Sequence, residues 1–329
     1  MPGGVNTQLS VNALSAPLVV QLIADARRLR IGVERLDNGT AIVDAGITQA
    51  GSLEAGCRIA ALCMADLGRV ALRTSNHFAN WPWQVEVASS QPVLACMASQ
   101  YAGWSLSAEA PEKFAALGSG PGRALARKEP LFEELGYEDQ ADRTCLVLEA
   151  GRYPPESLAQ KVAADCGVDP AALTLVLTPT GSLAGVVQIA ARVVEVAMHK
   201  AHELGFPLEA IVEGMGCAPL PPPVADGLIA MGRTNDTILF GGQVHLFVQA
   251  ADGDAQELAR SLPSSNSRDY GKPFAEVFSE YSHDFFQIDP LLFSPAKVAV
   301  TSMESGETFH AGRLDADLLA RSFGQRVSS

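Results

Sequence analysis

The sequence predicts an α+β fold from three features. Turn signals at Asp37-Asn38-Gly39, Gly241-Gly242 and Ser305-Gly306 stand between β-type runs and read as local hairpins, because asparagine and glycine supply the positive φ angles a tight turn demands. The stretch 180–204, TGSLAGVVQIAARVVEVAMHKAHEL, is apolar around most of its circumference and reads as one long helix buried on nearly all sides. Short apolar runs such as 173–177 alternate with segments of helical spacing. Helices mixed with local hairpins favour α+β layers over a doubly wound parallel sheet. At 329 residues, 47% hydrophobic and 19% charged, the chain is an ordinary globular protein long enough for two domains.

Residues 2–13 are polar and read as loose chain. Residues 17–29 have helical spacing, with Leu18, Leu22, Ile23 and Ala26 inward. Strands at 31–36 and 40–45 flank the first hairpin turn. A helix follows over 50–68, capped by Ser52, with Glu54 in its first turn, where it complements the helix dipole or touches substrate. Strands at 70–73 and 84–88 enclose Trp81-Pro82-Trp83, whose rings read as core or interface anchors. The segment Gly118-Ser119-Gly120-Pro121-Gly122-Arg123 leads into a short helix, a geometry whose backbone amides can cradle an anion. It is no dinucleotide fingerprint, since Arg123 stands where the pattern needs glycine. A strand at 145–149, a helix at 156–166 ended by Gly167, and a buried strand at 173–177 deliver the chain into 180–204.

Beyond that helix, prolines stiffen the loop 219–223, and a capped short helix leads to Asn235 and Asp236, which open a strand at 237–240. That strand pairs with 243–249 across Gly241-Gly242 as the second hairpin. The polar loop 264–273, with Arg268 and Lys272, reads either as a solvated turn or as an anion-binding loop. The last hairpin, 297–301 with 307–311, echoes the first and places both chain ends in one sheet. The resulting division is a first domain of 1–92 plus 285–329 and a second of 93–284 carrying the helix 182–204.

Polar residues on the 180–204 helix form a line. Gln188, Arg192, Glu195, His199 and His202 fall on one seam, with Gly185 on it one turn earlier. One reading makes Arg192 and Glu195 a structural ion pair. The other makes the seam the wall of a water-accessible cleft, where Glu195 handles a proton and Arg192 sets its charge state. In that second reading the missing side chain of Gly185 admits a ligand to the backbone.

A formal net charge of −13 argues against nucleic acid or an anionic membrane as the main partner. The six cysteines are scattered without a CxxC pair, as expected of free thiols in a reducing cytoplasm. No signal peptide or spanning apolar run is read, so a cytoplasmic location is expected. His199 and His202 lack the further ligands a metal site needs, and no GxSxG elbow marks a nucleophilic serine. Cys217 has no identifiable histidine partner and reads as a buried thiol.

The motifs SLEAG (52–56), GSGPGRAL (118–125), PTGSLAGVVQIAARVVEVAMHK (179–200), MGRTNDTILFGG (231–242), SSNSRDYGKPF (264–274) and FSPA (293–296) together resemble the methenyltetrahydromethanopterin cyclohydrolases. The resemblance implies two α/β domains with a large pocket between them, a homotrimer, and no metal or redox cofactor. The implied activity, in one-carbon metabolism, is reversible hydrolysis of N5,N10-methenyl-tetrahydromethanopterin to the N5-formyl compound. The family's catalytic arginine and glutamate fall on Arg192 and Glu195. A carboxylate there takes the proton of the attacking water and returns one to N10, while Arg192 keeps it ionised and oriented. Substrate contacts are expected from Gly118, Ser119, Gly120, Thr180, Ser182, Gln188, Asn235 and Asp236, and the anionic tail of the carrier from Arg123, Lys200, Lys272 or Arg268. The rival readings are a non-catalytic carrier-binding protein and an oxidoreductase acting on the same carrier.

Overall fold

The structure is a computed structural model that describes residues 8–109, 112–284 and 287–324. Of the segment 2–13 expected to be loose, residues 2–7 lie outside them, and residues 11–13 are instead the first turn of a helix capped by Ser10. The chain forms two compact units, each built on its own sheet. One comprises Leu94–Gln188 with the described chain up to Gly68, and the other Arg69–Val93 with the described chain from Ile189 onward.

The first unit contains strands β1 (Gly32–Arg35), β2 (Ala41–Asp44), β5 (Trp104–Ala108), β6 (Phe114–Ser119), β7 (Thr144–Leu148) and β8 (Leu173–Leu177), in the order β1-β2-β8-β7-β6-β5. The central three, β2, β8 and β7, run parallel, and antiparallel strands flank them. Its helices are α1 (Val11–Ala24), α2 (Ala26–Leu29), α3 (Leu53–Cys63), α4 (Gly122–Ala126), α5 (Leu131–Leu135), α6 (Glu156–Cys166) and α7 (Leu183–Ala190). Both faces of the sheet are covered. Leu22, Ile59 and Ala184 pack with Val43, Val147 and Val176 on one side, and Leu158 and Val162 of α6 with Ile42, Leu146 and Leu175 on the other. Covering on two faces is why β2, β7 and β8 are buried at every position and mostly apolar rather than alternating.

The second unit contains β3 (Arg69–Thr74), β4 (Trp83–Ser89), β9 (Ile211–Pro219), β10 (Gln243–Val248), β11 (Lys297–Ser302) and β12 (Thr308–Gly312), in the order β12-β11-β10-β9-β4-β3. Only β10 and β11 pair in parallel. Its helices are α8 (Val193–Glu203), α9 (Gly227–Leu239), α10 (Asp252–Ser261), α11 (Phe274–Glu280) and α12 (Ala316–Ser322). Here β10 alternates, with Val244, Leu246 and Val248 buried and Gln243, His245 and Phe247 half-buried, the pattern of a sheet covered on one face.

The α+β class and the first and last hairpins are present, β1 with β2 and β11 with β12. Other expectations are corrected. The two hairpins sit in different sheets, so the chain ends do not share one. The compact units therefore divide the chain differently from 1–92 plus 285–329 and 93–284. The division passes through α7, a helix with no linker composition to betray it. Residues 237–240 are the end of α9, and β10 pairs instead with β9 and β11. Gly241 and Gly242 follow that helix because there is no room for side chains: a Cβ on Gly242 would stand 2.6 Å from the carbonyl oxygen of Ile238.

The expected single helix over 180–204 is two helices that meet at Ala191-Arg192, although neither proline nor glycine stands there. The packing of α8 on its sheet is set by a glycine pair. Gly214 and Gly216 lie two apart on β9 and face α8. A Cβ there would stand 3.0 Å from Val194 and 3.2 Å from Val193, and one on Gly216 would also meet the Gln243 carbonyl oxygen at 2.7 Å. Glycine within a strand marks such a close approach. Gly216→Val should therefore lower the urea midpoint and the specific activity together. Gly227→Ala, in the first turn of α9 where an added Cβ meets nothing within 4 Å, should raise the unfolding free energy by about 0.4–1 kcal/mol, read as a slightly higher midpoint.

Candidate active site

Arg192 and Glu195 are held at the start of α8. Arg192 is its N-cap residue, with φ −79° and ψ 3°, and Glu195 lies in the first turn, where a negative charge faces unpaired backbone N–H groups. Arg192 Nη1 donates to Glu195 Oε2 at 3.1 Å. Only 8% and 4% of the two side chains reach solvent. The pair is thus more enclosed than the open cleft wall expected from the seam. The break before α8 also interrupts the seam, so Gly185 and Gln188 belong to α7, while Arg192 caps α8 and Glu195, His199 and His202 lie within it. His199 and His202 lie beyond Glu195 on α8, near Glu203.

Around α8 the motifs of the second unit lock together through buried polar groups. Lys200 Nζ donates to the carbonyl oxygens of Pro263 at 3.1 Å and Leu291 at 2.8 Å. It is buried, and desolvation pushes its pKa down to about 8. Asp236, on α9, accepts the Phe274 amide with both oxygens, at 2.9 and 3.1 Å, and burial pushes its carboxyl up to about 7. Ser264 Oγ donates to Leu239 O at 2.6 Å, and the Ser264 amide to Pro295 O at 3.0 Å. Asn235 Nδ2 donates back along α9 to Met231 O at 2.9 Å. Of the loop cations, Lys272 is exposed and bridged to Glu280 at 2.6 Å, and the exposed Arg268 donates to Gln287 O at 3.3 Å.

In the first unit, Ser182 caps α7, its Oγ accepting the Gly185 amide at 3.0 Å, and Thr180 is half-buried in the preceding turn. Gly185 serves the chain's own backbone rather than a ligand, since a Cβ there would stand 2.0 Å from Pro179 O. Gln188 is buried. Its Nε2 donates to Glu149 Oε1 at 3.3 Å and Thr178 Oγ1 at 3.5 Å, while its Oε1 has no partner among the described residues. Glu149 and Thr178 follow directly on β7 and β8, at the carboxyl ends of parallel strands where α/β folds bind ligands. Sequence reading passed over both residues. Their position just past two apolar strands was the available signal, but it required knowing that those strands run parallel.

The expected anion cradle at 118–123 is internal architecture. Gly118 and Ser119 end β6, and Ser119 Oγ donates to Gln100 O. Gly120 takes a φ of 106° and spends its amide on Ser99 O. Arg123 is fully buried, with Nε and Nη2 on Glu129 at 2.9 and 2.5 Å and Nη1 on the carbonyl oxygens of Met97 and Ser99. Among the described residues no cluster of three or more His, Cys, Asp or Glu side chains could hold a metal ion, and no helix is long and apolar enough to cross a membrane.

With this geometry in place, comparison with known proteins defines the class. The family model described as Cyclohydrolase (MCH) matches residues 10–323, and the chain belongs to that family. Among curated relatives it is 59% identical over 315 residues, 96% of this chain and 95% of the other, to the methenyltetrahydromethanopterin cyclohydrolase of Methylobacillus flagellatus. It is 56% identical to that of Xanthobacter autotrophicus, over 96% of this chain and 93% of the other. The methenyltetrahydromethanopterin cyclohydrolase of Methanosarcina barkeri is 39% identical, over 97% of this chain and 99% of the other.

The buried cations make stability predictions. Glu129→Ala strands the Arg123 guanidinium and should cost roughly 3 kcal/mol of unfolding free energy, read as a lower urea midpoint. Below about pH 8 the folded protein carries a desolvated ammonium at Lys200, which opposes folding. From about 8 up to the ordinary lysine value of 10.5 the folded state has shed that proton while the unfolded chain retains it. Wild-type stability relative to Lys200→Met should therefore rise across that interval in melts at stepped pH.

Proposed function

We propose that this member of the cyclohydrolase family hydrolyses N5,N10-methenyl-tetrahydromethanopterin to the N5-formyl compound, reversibly, at Arg192 and Glu195. The observation that carries the reading is the enclosed Arg192–Glu195 contact at the head of α8, in a chain aligned almost end to end with relatives named for that reaction. The bridge carbon lies between two nitrogens that share a positive charge, so it is electrophilic without further activation. Water adds to that carbon as Glu195 takes its proton, giving a neutral carbinol. The C–N10 bond then breaks, its electron pair stays on N10, and a proton delivered from Glu195 completes the amine. The hydroxyl proton leaves to solvent as the formyl C=O forms. Arg192 fixes the orientation of the carboxylate, and Glu195 offsets the repulsion between the guanidinium and the cationic substrate.

Because the cationic carbon needs no Lewis acid and no electrons are transferred, the reaction is proposed to require neither metal nor redox cofactor. Gln188, with Thr180 and Ser182 beside it in sequence, and Asn235, are retained as proposed substrate contacts. For the anionic tail the exposed Lys272 and Arg268 are preferred, since Arg123 and Lys200 already spend their donors on internal acceptors. A homotrimer in the cytoplasm is the proposed working state. It is supported by the resemblance and by six cysteines that remain free thiols.

Glu195→Gln should abolish loss of the methenyl chromophore while leaving substrate affinity within a few-fold of wild type. Substantial residual hydrolysis would overturn the assignment. Activity should survive exhaustive dialysis against a chelator, measured in the same assay.

A further inference from the structure

In the first unit's sheet, the chain leaves two adjacent parallel strands toward opposite faces. After β7 it enters α6, whose Leu158 and Val162 pack with Ile42, Leu146 and Leu175. After β8 it enters α7, whose Ala184 packs with Val147 and Val176 on the other face, and after β2 it enters α3, which lies on that same face through Ile59. The switch therefore falls between β7 and β8. In open α/β sheets the crevice between two such diverging connections, at the carboxyl ends of the strands, is where a ligand binds. The residues that follow the two strands there are Glu149 and Thr178. A third side chain reaches them, that of Gln188 in the last turn of α7, only 1% exposed. All three belong to the first unit.

The polar groups at this point suit a ligand that donates hydrogen bonds. Gln188 Nε2 gives its hydrogens to Glu149 Oε1 at 3.3 Å and Thr178 Oγ1 at 3.5 Å, which fixes the amide and makes Oε1 the atom left over. That oxygen is buried and accepts nothing among the described residues. An unfilled buried acceptor opposes folding, so a donor from outside the chain accounts for its retention. Glu149 beside it is half-buried, and a carboxylate accepts at both oxygens, so the bond from Gln188 does not exhaust it. The carboxylate at the end of β2 is different. Asp44 Oδ1 accepts the amides of Gly46 and Ile47 at 2.9 and 2.6 Å, and its Oδ2 accepts the amide and hydroxyl of Thr48 at 2.7 and 2.6 Å. Asp44 braces its own loop, whereas the switch point presents two neighbouring acceptors, one of them anionic.

We propose that Glu149 and Gln188 read the donor edge of the carrier's pterin, the exocyclic 2-amino group and the adjacent ring N–H meeting the Glu149 carboxylate and Gln188 Oε1. This rests on the cyclohydrolase reading and adds to it a specificity-determining residue, Glu149. The negative charge strengthens the bonds it accepts and repels anionic groups, which keeps the carrier's tail away from this end. Thr178 acts through Gln188, whose amide it orients, and is a positioning residue. A ring with oxygen in place of the 2-amino group turns a lone pair toward the same oxygens and is rejected.

The test titrates the full-length protein with 6-methylpterin and with 6-methyllumazine, the same ring with oxygen in place of the 2-amino group, each followed by its own fluorescence. Wild type should bind the pterin about tenfold or more tighter than the lumazine. Glu149→Gln, whose amide hydrogens oppose the ligand's donors, should lose most of that preference, and Gln188→Leu should weaken pterin binding. In the methenyl-chromophore assay both variants should raise KM by a larger factor than they lower kcat. Equal binding of the two rings by wild type, or binding of neither, overturns the proposal, and so does a preference that survives Glu149→Gln. The comparison of rings in wild type needs no variant, so it decides even if a substitution unfolds the chain. Hydrolysis without ring preference removes this subsite and leaves the cyclohydrolase reading standing; ring preference without hydrolysis does the reverse.

Discussion

The approach of α8 to β9 is the constraint from which the geometry of the Arg192–Glu195 pair follows. Two glycines on one face of the strand remove the side chains that would hold the helix away, and Val193 and Val194 settle into the space. The next turn of the same helix then has a fixed height and rotation above the sheet. Arg192 and Glu195 flank those valines, so their placement is inherited from backbone packing rather than from their own flexible side chains. Positioning on a rigid element is what the proposed proton transfer requires, since the donor and acceptor must meet within hydrogen-bonding distance.

A second layer of polar groups stiffens this arrangement from behind. Lys200, one and a half turns beyond Glu195 on α8, joins the carbonyl groups of Pro263 and Leu291 to the helix. Asp236 and Ser264 tie α9 to the start of α11 and to the loop between. Each of these groups is buried and each has partners, which is the condition under which interior polar groups stabilise a fold instead of destabilising it. The same holds for Arg123 in the first unit, with donors on Glu129 and two carbonyls. Motifs that look like ligand machinery are in large part internal bracing of the fold.

The enclosure of Arg192 and Glu195 has a chemical meaning. A carboxylate and a guanidinium in contact away from bulk water interact more strongly than they would at the surface, and in the proposed reaction the cationic substrate would meet a preoriented acceptor rather than a mobile one. The electrostatics of the rest of the molecule are divided accordingly. Most positive charge is paired locally, as in Lys272 with Glu280 and Arg58 with Glu54 and Asp25. Among the described residues Arg69 and Lys297, on the sheet face away from α8, form no ion pair within 4 Å.

The sequence by itself determined the class of layers, the first and last hairpins, the caps at Ser52 and Ser182, and the pairing of Arg192 with Glu195. Each of these is a local property, set by turn chemistry, capping or a three-residue spacing on one helix. Tertiary structure decided the rest. A helical pattern that looked continuous from 180 to 204 is broken at Ala191-Arg192, and residues 237–240 became helix although their apolar, β-branched character suited a strand. Which sheet each hairpin joins, and whether a basic residue meets solvent or a buried carboxylate, depends on contacts far apart in the chain. Arg123 and Arg69 look alike in sequence; only the folded packing puts a glutamate beside one and leaves the other without an ion pair among the described residues.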